Sequence, residues 1–70
     1  MKTYFVTPGQ HGFFDLFIRE APGEPPNWDS RHEGYMEAVE EARAIGVVKL
    51  DAALLEQEKR AKRWPAPPPA

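Results

Sequence analysis

Ser30 to Gly46, SRHEGYMEAVEEARAIG, decides how the rest of this 70-residue chain is read. At 100° per residue, Tyr35, Ala38, Val39, Ala42 and Ile45 fall within an arc of about 120°, the width of a core-facing stripe, and Glu33, Glu37, Glu40 and Glu41 fall outside it. The spacing predicts an amphipathic helix over residues 31–45, with the glutamates on its solvated side. Ser30 followed three residues later by Glu33 has the form of a capping box, in which hydroxyl and carboxylate each satisfy an orphan amide of the first turn. Gly46 supplies a residue that turns left-handed at no steric cost just past the last helical position.

Working outward toward the N-terminus, Lys2–Thr7 (KTYFVT) and Phe13–Glu20 (FFDLFIRE) are rich in aromatic and β-branched residues. They are separated by Pro8-Gly9-Gln10-His11-Gly12, so they read as a β-hairpin. A period of two puts Phe14, Leu16 and Ile18 on the face that covers the helix, and Phe13, Asp15, Phe17 and Arg19 on the other. Phe13 and Phe17 are then either covered by a second helix or left as a docking surface. Ala21–Asp29 (APGEPPNWD) carries three prolines and a glycine and reads as a loop, with Trp28 anchoring its end over the rim of the core.

Toward the C-terminus two readings stay open. Val47-Val48-Lys49-Leu50 is a short third strand ended by Asp51, which then caps a helix beginning at Ala52; or the helix begins at Val47. The prolines of residues 65–70 predict a flexible tail following a single domain over 1–64. The fold class expected is α+β: a hairpin, with or without a short third strand, packed on an amphipathic helix, then a second helix and the proline-rich tail.

Composition narrows function mostly by exclusion. Without cysteine there is no disulfide, and His11 and His32 are too few and too far apart for a structural zinc site, so neither metal nor cofactor is expected. His32-Glu33 opens like a zinc-protease helix motif, but Met36 stands where the second histidine belongs. His11, in the hairpin loop, has no partner in sequence that would make it a general base. No catalytic residue is expected. Neither a secretory signal nor a membrane-spanning stretch is legible, so a cytoplasmic protein without a membrane partner is expected. The net charge of −2 argues against a general polyanion binder, although Lys59, Arg60, Lys62 and Arg63 concentrate cations near the end.

The function expected is a small non-enzymatic protein-binding module, an accessory, adaptor or inhibitor, able to pair with itself. Phe13, Phe17, Val48 and Leu55 are its candidate partner-binding residues. The alternative is a nucleic-acid binder, in which residues 42–63 form a helix-turn-helix-like segment and Lys59, Arg60, Lys62 and Arg63 contact phosphates. Against it, Asp51, Glu56, Gln57 and Glu58 occupy the helix that would enter the groove.

Overall fold

Three strands form an antiparallel meander in the order β1 (Thr3–Pro8), β2 (Phe14–Arg19) and β3 (Asn27–His32), followed by helices α1 (Tyr35–Ala44) and α2 (Ala52–Lys59). The computed structural model describes residues 2–60. The hairpin is as expected, with Thr3 opposite Arg19 and Pro8 opposite Phe14. Its loop is a short 3-10 turn over Gln10–Gly12, in which His11 and Gly12 both have positive φ.

The third strand is where the structure departs from expectation. It precedes α1 rather than following it, and it takes in Trp28 and Ser30, which had been assigned to the loop and the helix cap. Ser30 therefore makes no capping box; α1 starts at Tyr35 behind Gly34, with no side-chain cap. The physical reason is tertiary. NWDSRH has little strand propensity of its own, but as an edge strand beside β2 it needs only one buried side, and ladder hydrogen bonds outweigh a single cap. Asp29 is the extra residue of a bulge, since Ser30 faces Leu16 while Trp28 faces Phe17. Gly46, in contrast, turns left-handed after α1 at φ 92°, as expected.

Residues 47–50 contribute one parallel bridge, Leu50 to Tyr4. The Tyr4 amide donates to the Lys49 carbonyl at 3.0 Å, and the Asp51 amide donates to the Tyr4 carbonyl at 2.7 Å. Asp51 then caps α2, its carboxylate accepting from the Leu54 amide at 3.2 Å. Of the two readings of this segment, the one with Asp51 as cap holds.

The sheet has a helix on each face. On one, Tyr4, Val6, Leu16 and Ile18 pack with Ala38, Val39 and Ala42 of α1 and with Val47. The helical stripe is narrower than its sequence pattern: Tyr35 and Ile45, at the two ends of the helix, are 43% and 44% exposed. On the other face Phe5 and Phe17 pack with Leu54 of α2 and with Trp28.

Gly9 shows how tightly the hairpin end of the second face is closed. Its φ of −112° is open to any residue, but a Cβ there would overlap Oδ2 of Asp15, whose side chain is buried. Gly9→Ala should therefore destabilise by about 1–3 kcal/mol, an overpacking cost rather than a backbone one. A urea midpoint lowered at unchanged slope would show it; an unshifted midpoint would mean that Asp15 can yield.

Candidate functional site

Register across the meander places Phe5 opposite Phe17, and Phe17 opposite Trp28, so three aromatic side chains line up across three strands. The Phe5 and Phe17 rings stack with centroids 5.0 Å apart. α2 lies over this row, and among the described residues of α2 Leu54 alone is buried. Polar clamps hold the helix at both ends. Near its start Asp51 Oδ2 accepts from Thr3 Oγ1 at 2.8 Å and pairs with Arg19 Nη2 at 2.7 Å. Near its end the Glu58 carboxylate accepts from the Thr7 hydroxyl. Beside the row, Asp15 Oδ1 accepts from Trp28 Nε1 at 3.0 Å and from Arg31 Nε at 3.1 Å. The Arg31 guanidinium stands 5.9 Å from the Trp28 ring centre. The buried carboxylates Asp15 and Asp51 thus each face a guanidinium, which is how charge is tolerated in a small interior.

A groove of about 350 Å³ runs between α2 and the loop leading to β3, lined by Arg19, Pro25, Pro26, Leu54 and Gln57 among others. Its one guanidinium is already committed to Asp51, and it gathers no nucleophile with a base.

The four sequence-predicted partner residues do not converge. Phe17 is 1% exposed, enclosed by Phe5, Leu54 and Trp28, so the expectation that it offers free surface is corrected: α2 covers it. Phe13 is half-buried at the hairpin end of the sheet, where its amide donates to the Gln10 carbonyl. Leu55 is half-buried on α2. Val48 is 74% exposed on the segment joining the helices, and two aliphatic residues close to it in sequence are exposed as well, Ile45 at 44% and Leu50 at 37%. Ile45 had been placed in the buried stripe, so only the helix boundary could have revealed it.

The nucleic-acid alternative loses its scaffold. α1 and α2 pack on opposite faces of the sheet, so the described part of this segment, residues 42–60, does not form the paired helices of a helix-turn-helix. Lys59 pairs with Glu56 at 3.2 Å and Arg60 is exposed at the helix end, while Lys62 and Arg63 lie outside the described residues.

Both histidines are accounted for. His11 is exposed at the tip of the hairpin. His32 belongs to a network that sequence reading missed: Ser30 Oγ lies 2.7 Å from His32 Nε2 and donates to Asp29 Oδ2 at 2.9 Å. These are the residue types of a hydrolytic triad in the wrong order. The carboxylate bonds to the serine rather than to the imidazole, so in these contacts it does not orient the ring as a base toward Oγ. Once β3 is assigned, Ser30 and His32 share a face by the period of two, which is the signal that could have found them.

Among the described residues no three His, Cys, Asp or Glu side chains gather as a metal site, and no helix is long and apolar enough to cross a membrane. A scan against protein-family models, a search of curated proteins and a search of solved structures find no match to the chain.

Proposed function

We propose that the chain is a non-enzymatic protein-binding module whose docking site is the apolar edge formed by Ile45, Val48 and Leu50. The observation that carries this reading is Val48, 74% exposed between two other exposed aliphatic residues on a segment already bonded to the sheet. Tyr4 takes the Lys49 carbonyl and the Asp51 amide, so the amide and carbonyl of Leu50 between them point away from β1. Apolar side chains beside outward backbone groups are the elements of strand addition, in which a partner's extended segment pairs with a sheet edge. The opposite edge contrasts with it. β3 carries Asp29, Ser30, Arg31 and His32 and is kinked by its bulge, the usual protections of an edge that must stay unpaired.

Val48→Glu tests the reading. Because the side chain is exposed, its stability should remain within about 0.5 kcal/mol of wild type. A charge on the edge should abolish recovery of a partner in pull-downs from the native host read by mass spectrometry. Unchanged recovery would rule out this edge as the docking site.

A further inference from the structure

We propose that the groove between α2 and the loop leading to β3 binds a small zwitterion with an apolar side chain, a free α-amino acid, holding its carboxylate on Arg19 and its ammonium on Glu24. None of its lining residues belongs to the edge at Ile45, Val48 and Leu50, so this site and the docking edge stand or fall separately.

Both walls follow from local chemistry. Alternation along β2 puts Arg19 on the face that carries Asp15 and Phe17, the face α2 covers, and Leu54 and Gln57, one turn apart on α2, line the groove beside it. On the other side the loop turns back on itself. The Glu24 amide donates to the Ala21 carbonyl at 3.2 Å, and Pro22 and Gly23 stand between them with Gly23 at φ 87°, the residue pattern of a type II turn. Pro25 and the fully buried Pro26 follow, so this wall is stiff before a ligand arrives and little order has to be gained on binding.

The charges left over select the ligand. Arg19 carries five N–H groups, and among the described residues its one acceptor is Asp51 Oδ2, reached by Nη2. Its Nε is buried without a hydrogen-bond partner, an uncommon state for a native donor, while Nη1 lacks a protein partner too and is not enclosed. Asp51 cannot supply more, since its oxygens already serve the Leu54 amide, the Thr3 hydroxyl and Nη2. A guanidinium with donors to spare in the wall of a groove suits a carboxylate. Glu24 lines the same groove, is exposed, and has no cation paired with it among the described residues. A simple anion would be repelled by Glu24 and a simple cation by Arg19; a molecule carrying both charges meets both. Pro25, Pro26 and Leu54 supply the apolar contact, and a volume of about 350 Å³, near the lower limit for ligand pockets, keeps the occupant small.

The test titrates isotope-labelled protein with leucine, with isocaproate, which lacks the ammonium, and with leucinamide, which lacks the carboxylate. Backbone amides and the Arg19 Nε–H are followed by NMR. Leucine should move the signals of Arg19, Glu24 and Gln57 saturably with a Kd of about 1 mM, and each truncated probe should bind roughly tenfold more weakly. Glu24→Gln, at an exposed loop position, should leave the fold intact and make leucine and isocaproate bind alike. Absence of a saturable shift in the groove up to about 20 mM leucine would overturn the site. Leucinamide binding as well as leucine would overturn Arg19 as the seat of the carboxylate, and an undiminished preference for leucine over isocaproate in Glu24→Gln would overturn Glu24 as the seat of the ammonium.

Discussion

Phe17→Ala should abolish the cooperative melting transition of this domain. The ring is 1% exposed, stacked on Phe5 at 5.0 Å, with Leu54 above it and Trp28 alongside, so truncation opens a cavity at the centre of the row that seats α2. Replacing a buried phenylalanine by alanine costs about 3–5 kcal/mol. A single core in a chain of this size supplies about the same, so the variant has no margin left. Far-ultraviolet circular dichroism at room temperature, followed by a thermal scan, should show lost helix signal and a sloping baseline without a midpoint. A sigmoidal melt within a few degrees of wild type would mean that the second face contributes little and that α2 is ornamental.

The second large effect is at Asp51. Its carboxylate caps α2, receives the Thr3 hydroxyl and neutralises Arg19, whose side chain is 17% exposed. Asp51→Ala removes the cap, worth about 1 kcal/mol, and strands a largely desolvated guanidinium. Breaking a buried pair from one side costs about 3–5 kcal/mol, and the residual exposure of Arg19 places this case toward the lower figure. Urea unfolding should register that loss. Asp51→Asn, whose single amide oxygen can keep the cap while its NH2 takes the place of the oxygen facing Thr3 and Arg19, should recover only the cap's share. Equal midpoints for Asp51→Ala and wild type would show that Arg19 finds water without rearrangement.

Periodicity made the strands of the hairpin and the Ala38/Val39/Ala42 stripe legible, because in each the buried face is written in residue type. Asp51 as cap and Gly46 as stop were legible for local reasons, one a side-chain acceptor, the other a backbone angle. β3 was not, since an edge strand with one buried side and a bulge at Asp29 keeps no clean alternation, and the Ser30/Glu33 spacing imitated a cap. The candidate site was only partly readable. The exposure of Val48 follows from sequence only when the second helix begins at Val47, where it falls outside the Val47/Leu50/Leu54 stripe, and that helix in fact begins at Ala52. The burial of Phe17 depends on α2 crossing to the opposite face from α1, which no local pattern encodes. Ile45 joined the exposed edge because the helix stops one residue earlier than its hydrophobic period.

The placement of α2 also sets the order in which the chain can mature. Thr3 bonds to Asp51 across 48 residues of sequence, and Thr7 to Glu58 across 51. As the chain emerges during synthesis, the meander and α1 can assemble first, through contacts closer in sequence. Until α2 has been made, Phe5, Phe17 and Trp28 face solvent in a row. The nascent domain therefore passes through a half-built stage with one finished face and one adhesive one, the stage at which it is most exposed to aggregation and to capture by chaperones.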